Sequence, residues 1–461
     1  MHYQSITALA EDIKTRKISP VEVTEHMLSR IETLDPKLGA YVTVTAERAM
    51  DQARQAEAEI MAGKYRGPLH GVPMNYKDIL YTDFAKTTGG TRIHKDFQPD
   101  FTATVIRRLE AAGSITLGKV KTTEQAYANH HPDVTPPLNP WSAGHWAGSS
   151  SSGTGVSVAA GMTFASLGSD TGGSIRFPSA VNGVTGLKPT WGRTSRYGAF
   201  ELAASLDHIG PLARSAADAG IVLQAMAGAD INDPTTLTAP VPDYAAEAGQ
   251  SIAGLRIGID RAYISEGVDP ANVAAVEAAA EVLQSLGAVL VDVSVKHWKE
   301  AAISWLPLCA PETAAAHDDF YPRLKSDYGS TLAALIDMAE SYSTRDVARA
   351  HQDRLIFSGH LEAMFRQVDL LLIPATIWRV PALANWADYA EGDNSEFIRF
   401  TGPYDMSGSP SITMPGGFDQ DGLPLAVQLV APNLGEGALV RAGSAFQKLT
   451  DWHQKIPPLS A

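Results

Sequence analysis

Two stretches rich in glycine and serine carry the hydroxyl groups best placed for chemistry. The first is HWAGSSSSGTGV, residues 145–156, which contains four consecutive serines. The second is GSDTGGSIRFP, residues 168–178, in which Ser174 follows two glycines. A glycine pair allows successive backbone N–H groups to point into one concavity that holds a negatively charged oxygen. A serine hydroxyl beside such donors is the arrangement that acyl transfer requires.

A serine nucleophile needs a base, and the sequence offers a lysine for this role. None of the 13 histidines stands in an obvious Ser-His-Asp setting. Lys77, in GVPMNYKDIL, lies between the apolar flanks of a predicted buried strand. Because burial disfavours the charged ammonium form, the pKa of such a lysine falls from about 10.4 toward neutrality. A neutral amine can then accept a proton.

Each of these motifs also has a purely structural interpretation. A Gly/Ser run is typical of a flexible tether, and a Gly-Gly pair is typical of a tight turn. Lys77 can instead be a surface residue paired with Asp78. The sequence NHHPD, residues 129–133, is either a metal site or a hydrogen-bonded loop, and no third ligand with recognisable spacing accompanies it. The single cysteine, Cys309, excludes an internal disulfide.

The composition predicts a globular protein without nucleic-acid or membrane partners. The 461 residues include 37 Lys+Arg and 51 Asp+Glu, a net charge of −14, which repels phosphate groups. Hydrophobic residues make up 44% of the chain, enough for a large core. We find neither a signal sequence nor an apolar stretch of about 18 residues, so we expect a cytoplasmic protein.

After residue 68, predicted helices and strands alternate along the chain. Helix–strand pairs are predicted in FTATVIRRLEAAGSITLGK, GTGVSVAAGMTFASLGSD and PANVAAVEAAAEVLQSLGAVLVDVSV. Further strands are predicted in GVPMNYKDIL, LRIGID, DLLLIPAT and PLAVQLVAP, and a closing helix in EGALVRAGSAFQKL. This alternation predicts an α/β fold, namely one large α/β/α domain with a mixed, twisted sheet covered by helices on both faces.

The N-terminal segment, residues 1–64, is predicted to be helical and to pack on the core. Ser19 precedes Pro20, and Glu22 completes a capping box at the start of a helix. No clean linker divides the rest of the chain, so residues 65–461 are expected to form one domain. Its parts are a core over about 65–230, a Pro/Thr-rich connection over about 230–250 and a C-terminal part over about 251–461.

Together these motifs resemble the amidase signature family over most of the chain. HGVPMNYKD looks like the family's lysine strand, and GSSSSGTG followed by LGSDTGGSIRFP resembles its Gly/Ser-rich signature. VNGVTGLKPTWGRTSRYG and GSPSITMPGGFDQDGLPLAVQLVAP are similar to later segments of the family. The resemblance implies that Lys77 is the catalytic lysine and Ser174 the nucleophile. It also implies that Ser150 is the bridging serine, whose preceding peptide bond is typically cis in the family. The sequence leaves open whether that bond is cis here, where Ser149 stands in place of glycine.

The resemblance further assigns supporting residues around the nucleophile. Asp170 and Arg176 match the signature and are expected to scaffold its loop. The family requires no metal and no organic cofactor. The donors to the oxyanion are expected to be the backbone N–H groups of Thr171, Gly172, Gly173 and Ser174.

The sequence departs from the family pattern at two places. Ser149 and Ser152 occupy positions where the family prefers glycine. Ala126 and Tyr127 stand where the family commonly carries an acidic residue and an aromatic residue. Since that segment helps to line the substrate pocket in the family, we expect an atypical substrate. The predicted substrate contacts are Tyr127, Trp146 and Ser149.

The predicted function is hydrolysis of a small, neutral, hydrophobic or aryl amide through an acyl-Ser174 intermediate. Ser150 is expected to carry protons between Ser174 and Lys77. The prediction of a hydrophobic substrate rests on the tryptophans near the expected pocket and on the acidic net charge. The alternative is the glutaminase subunit of a tRNA-dependent amidotransferase, which has the same signature. The presence of Lys77, Ser150 and Ser174 disfavours a catalytically inactive binding module. The sequence does not determine the oligomeric state, and a homodimer is one of the states it allows.

Overall fold

The chain folds around one mixed β-sheet. A computed structural model describes residues 1–386 and 394–459, and within these ranges the sheet has eleven strands. The strands are β1 (Tyr41–Val44), β2 (Pro73–Lys77), β3 (Ile115–Val120), β4 (Ala165–Asp170), β5 (Thr185–Lys188), β6 (His208–Ala213), β7 (Arg256–Ile259), β8 (Val289–Asp292), β9 (Leu370–Pro374), β10 (Ser411–Phe418) and β11 (Pro424–Val430). Their order across the sheet is β1-β3-β2-β4-β6-β5-β10-β11-β9-β7-β8.

Helices pack on both faces of this sheet, so the predicted fold class is confirmed. No helix in the two described ranges is long and apolar enough to cross a membrane. The helices are α1 (Ile6–Lys14), α2 (Pro20–Leu38), α3 (Ala46–Met61), α4 (Thr104–Ala111), α5 (Ser152–Ala159), α6 (Arg176–Asn182), α7 (Ala216–Met226), α8 (Tyr244–Glu247), α9 (Arg261–Ser265), α10 (Pro270–Ser285), α11 (Trp298–Ala316), α12 (Tyr321–Leu324), α13 (Ser330–Met338), α14 (Thr344–Phe365), α15 (Asn394–Phe397), α16 (Gly402–Met406) and α17 (Glu436–Leu449).

The capping box predicted at the start of α2 is present. The Glu22 N–H donates to Ser19 Oγ over 3.1 Å, and the Ser19 N–H donates to the Glu22 carboxylate over 2.8 Å. These two bonds satisfy backbone donors that the first turn of a helix leaves without partners. The local sequence therefore determines where this helix begins.

Four strands were not predicted from the sequence. β1 lies inside the N-terminal segment that was expected to be helical, and it pairs antiparallel with β3 at one end of the sheet. β5 and β6 contain glycine or proline in short segments, which hides a strand pattern. β10 carries Pro415, and its register with β11 shifts between Pro415 and Gly417. Strand formation at these places depends on neighbouring strands more than on local pattern.

Two adjacent strands, third and fourth in the order of the sheet, bring the predicted reactive segments together. β2 runs parallel to both β3 and β4, and Tyr76 of β2 lies beside Leu167 of β4. Parallel strands end at the same edge of a sheet, so Lys77 at the end of β2 lies close to the end of β4. The signature loop follows β4 directly, and the serine run ends where α5 begins at Ser152.

Candidate active site

Lys77 lies at the centre of a buried group of hydroxyls. Its Nζ is 2.6 Å from Ser150 Oγ and 2.8 Å from Ser169 Oγ. The side chains of Lys77 and Ser150 are fully buried. The structure therefore brings the predicted lysine and the predicted bridging serine into direct contact. The contact with Ser169 was not predicted.

Burial changes the acidity of this lysine. Removal from water lowers the pKa of Lys77 to about 7, although the negative charges of Asp170 and Asp207 oppose the shift. A large fraction of the amine is then neutral at physiological pH and able to accept a proton. The neighbouring carboxylate of Asp78 does not neutralise it, since Asp78 pairs with Lys119 over 3.1 Å. The alternative pairing of Lys77 with Asp78 is therefore wrong.

The serine run is a fixed part of the site rather than a tether. The peptide bond between Ser149 and Ser150, which the sequence left open, is cis. The Ser150 carbonyl accepts a hydrogen bond from the Thr123 N–H over 3.1 Å. The Ser151 N–H donates to the Ser174 carbonyl over 3.3 Å, which ties the run to the signature loop. Both serine-containing segments are thus held against each other by backbone contacts.

Ser174 differs from Ser150 in its accessibility. Ser174 is half-buried, whereas Ser150 is fully buried. Within residues 1–386 and 394–459, the Ser174 hydroxyl has no hydrogen-bond partner, so the structure does not join it to Ser150. A half-exposed hydroxyl can meet a substrate, and hydrogen bonds of catalytic groups often tighten only when substrate is bound. The placement agrees with a nucleophile that faces the substrate while the proton acceptor lies behind it.

Asp170 organises the loop that carries Ser174. Its carboxylate accepts hydrogen bonds from the N–H groups of Gly173 and Ile175, over 2.7 and 2.9 Å. The Arg176 guanidinium donates to the same carboxylate over 2.8 and 3.0 Å and to Asp405 over 2.6 Å. Although burial opposes the shift, Arg176 holds the pKa of Asp170 well below its usual range. Asp170 is therefore ionised, and its contacts are those of a scaffold for the loop.

The four predicted oxyanion donors are not equivalent. The Gly173 N–H already donates to Asp170, so the expectation that it faces a substrate oxygen needs correction. For the N–H groups of Thr171, Gly172 and Ser174, the described part of the chain provides no acceptor. These three amides remain available to a negatively charged oxygen.

Two buried residues near Lys77 were not predicted from the sequence. Ser169 contacts Lys77 Nζ, and Asp207 accepts a hydrogen bond of 2.6 Å from the Thr171 hydroxyl. Burial raises the pKa of Asp207 to about 6, although three hydrogen bonds oppose the shift. Ser169 precedes Asp170 on a predicted strand, but its contact with Lys77 depends on the pairing of β2 with β4, which no local pattern predicts. Asp207 lies in a segment without any recognised motif, and only the tertiary fold places it here.

A cavity of about 460 Å³ has Gly148, the residue before the four serines, in its wall, whereas Lys77, Ser150 and Ser174 are not among its lining residues. Trp146, a predicted substrate contact, lines its wall, but Tyr127 and Ser149 are not among the lining residues. Tyr127 packs against the apolar cluster that also contains Trp146 and Trp305. The lining residues are Thr123, residues 128–132, 134–138 and 145–148, Leu383 and Trp386.

The NHHPD sequence forms part of this cavity wall. His130 Nε2 is 3.0 Å from Ser152 Oγ, and His131 Nδ1 accepts a hydrogen bond from the Asp133 N–H over 3.1 Å. Burial, together with the charge of Lys121, lowers the pKa of His130 to about 4, so its ring is neutral at physiological pH. No cluster of three potential ligands is found among the described residues. Ser152, one of the departures from the family pattern, thus holds a histidine of the pocket.

The chain is similar to enzymes that act on C–N bonds. A family model described as Amidase matches residues 22–440. A putative amidase AmiD of Mycobacterium tuberculosis is 42% identical over 456 residues, covering 98% of this chain and 96% of the relative. One subunit of the glutamyl-tRNA(Gln) amidotransferase of Pseudomonas savastanoi pv. phaseolicola is 36% identical and covers 99% of both chains. The structure of a 6-aminohexanoate cyclic dimer hydrolase complexed with substrate superposes with a TM-score of 0.90, at 26% identity over 99% of both chains.

We predict that Arg176→Met strongly destabilises the fold. The substitution leaves the buried carboxylates of Asp170 and Asp405 without their cation, which costs roughly 3–5 kcal/mol. Urea denaturation followed by circular dichroism measures the effect. The control is Lys455→Met, which removes an exposed ion pair with Asp451 and is expected to cost less than about 1 kcal/mol. Equal, small losses in both variants would show that Arg176 does not hold the loop.

Proposed function

The chain belongs to the amidase family and hydrolyses C–N amide bonds, and on this premise we propose that its substrates are small, neutral amides with a hydrophobic or aromatic group. The observation that carries the reaction is the contact of 2.6 Å between the buried Lys77 amine and the Ser150 hydroxyl. This contact allows the buried amine to accept a proton from Ser150 in the serine-rich loop. Ser174, half-buried on the adjacent signature loop, is the proposed nucleophile.

The proposed reaction begins with attack of Ser174 Oγ on the amide carbonyl carbon. The proton of Ser174 passes to Ser150 Oγ while the proton of Ser150 passes to neutral Lys77. The negative charge that develops on the carbonyl oxygen is met by the amides of Thr171, Gly172 and Ser174. Ser150 returns a proton to the leaving nitrogen, the C–N bond breaks, and an acyl-Ser174 ester remains. Water then attacks the ester by the same relay and releases the carboxylic acid.

The cavity beside Gly148 supports the proposed substrate class. The rings of Trp146 and Trp386 lie 4.7 Å apart between centroids on its wall. Among the lining residues there is no Asp, Glu, Lys or Arg. Burial keeps the ring of His130 neutral, so this residue adds no charge. Such a surface favours an apolar or aromatic group.

The main alternative is a glutaminase subunit that works inside an amidotransferase complex. Its support is the similarity to the amidotransferase chain of Pseudomonas savastanoi over the whole length. Glutamine carries an ammonium and a carboxylate, and binding it requires charged or strongly polar partners. The described lining of the cavity contains neither carboxylate nor guanidinium side chains. The higher identity to the mycobacterial putative amidase, 42% against 36% for the amidotransferase chain, favours the amidase.

The isolated chain should hydrolyse aryl amides, as measured by release of the free amine across a panel of aryl, aliphatic and anionic amides. Ser174→Ala and Lys77→Met should each lower turnover by about 10³-fold or more, because one removes the nucleophile and the other the base. Circular dichroism should show that both variants remain folded.

Three outcomes contradict parts of this proposal. Near-full activity of Lys77→Met at neutral pH contradicts the proton relay. Preference for small aliphatic or anionic amides contradicts the substrate class. Hydrolysis of glutamine only when the other subunits of an amidotransferase are added supports the alternative function.

The pH dependence of kcat/KM should follow the protonation of Lys77. Only the neutral amine accepts a proton, and burial lowers the pKa of Lys77 to about 7. The value of kcat/KM for an aryl amide should therefore rise about tenfold per pH unit below this value and level off above it. Circular dichroism at each pH excludes unfolding. A rate that rises only near the ordinary lysine pKa of about 10.4 would contradict a lysine base with a lowered pKa.

The aromatic wall should select the substrate. Trp386→Ala removes one of the two facing rings and should raise KM for an aryl amide by about 3–10-fold, the range expected for an aromatic contact. The kcat value and the KM of a small aliphatic amide should stay within about twofold. Trp452→Ala, which removes a tryptophan outside the cavity lining, serves as the control. Equal changes for aryl and aliphatic amides would show that Trp386 does not contact the aromatic group.

A further inference from the structure

We propose that Trp305 is a positioning residue for the oxyanion site, and that it acts by fixing the direction of the Gly172 N–H. The inference rests on the proposed function, since it concerns the same reaction. Trp305 lies on α11, more than 100 residues beyond the signature loop. No motif of the sequence connects these two segments, and only the fold brings them together.

The indole of Trp305 makes a hydrogen bond to the loop. Its Nε1–H donates to the Thr171 carbonyl oxygen over 2.8 Å, and the tryptophan is only 4% exposed. In a trans peptide the carbonyl and the N–H of one unit point in opposite directions. Since Ser149–Ser150 is the single cis bond among the described residues, the Gly172 N–H points away from Trp305. Fixing the Thr171 carbonyl therefore fixes the direction of one oxyanion donor.

The ring of Trp305 also packs against the backbone of this peptide unit. A β-carbon added at Gly172 would lie 2.8 Å from Cζ2 of the indole. The ring thus lies directly against the Gly172 backbone, and no side chain fits between them. Glycine leaves the backbone free to rotate unless its surroundings restrict it. Here the restriction comes from Trp305, through one hydrogen bond and one packing contact.

The adjacent peptide units of the loop have other supports. The Gly172 carbonyl accepts a hydrogen bond of 2.6 Å from the Thr401 hydroxyl, and the Gly173 N–H donates to Asp170. The Gly173 carbonyl accepts from the Phe177 N–H over 2.7 Å. The carbonyl between Thr171 and Gly172 is bonded to Trp305 instead. Loss of the indole N–H should therefore disturb one donor and leave the rest of the loop in place.

The test is Trp305→Phe, which keeps an aromatic ring and removes the N–H. Removing an oxyanion donor costs about 10²–10³ in rate, and misdirecting one should cost about tenfold in kcat with KM within twofold. A trifluoromethyl ketone that adds to Ser174 places a negatively charged oxygen among the same amides. Its affinity should fall by the same factor as kcat/KM, whereas that of the product carboxylic acid should not change.

Trp141→Phe is the matched control, because it also removes an indole hydrogen bond to a backbone carbonyl, that of Asn182, over 2.8 Å. Its kcat and its ketone affinity should equal those of the unmodified chain. Unchanged kcat in Trp305→Phe, equal losses in both variants, or a loss of kcat without a loss of ketone affinity would overturn the proposal. If the unmodified chain hydrolyses no amide, the proposed function itself fails, which is a separate result.

Discussion

The active site depends on the removal of one lysine from water. Lys77 ends β2, which lies between β3 and β4 in the sheet, and its side chain is completely buried. Burial makes the charged form costly and lowers the pKa of Lys77 to about 7. Its contact with Ser150 transfers this basicity to the serine-rich loop. A solvent-exposed lysine in the same sequence would stay protonated and could not act as a base.

A second buried charge network supports the nucleophile. Asp170, Arg176 and Asp405 are linked by short ion pairs, and all three are fully buried. Buried ion pairs of this kind add little net stability but are costly to break. Here the ion pairs fix the shape of the loop, because Asp170 also accepts hydrogen bonds from the backbone N–H groups before and after Ser174. The same carboxylate of Asp170 also acts on Lys77, since its negative charge opposes the lowering of the lysine pKa by burial.

The sequence predicted much of this arrangement but not all of it. Local patterns predicted the lysine strand, the helix–strand pairs and the capping box. The contact of Ser169 with Lys77 requires the pairing of β2 with β4, and the bond from Trp305 crosses more than 100 residues. Tyr127 was expected to contact the substrate; it does not line the cavity, although it packs against the same apolar cluster as Trp146. Which aromatic residues line a cavity depends on tertiary contacts that the local sequence does not specify.

The most direct measurement is the pKa of Lys77 itself, determined by NMR titration of the protein with ¹³C- and ¹⁵N-labelled lysine. Lys77→Met identifies the resonance by its disappearance. The structure predicts a midpoint of about 7 for this one side chain. A midpoint near the ordinary value of about 10.4 would contradict the assignment of Lys77 as the neutral base on which the reaction depends.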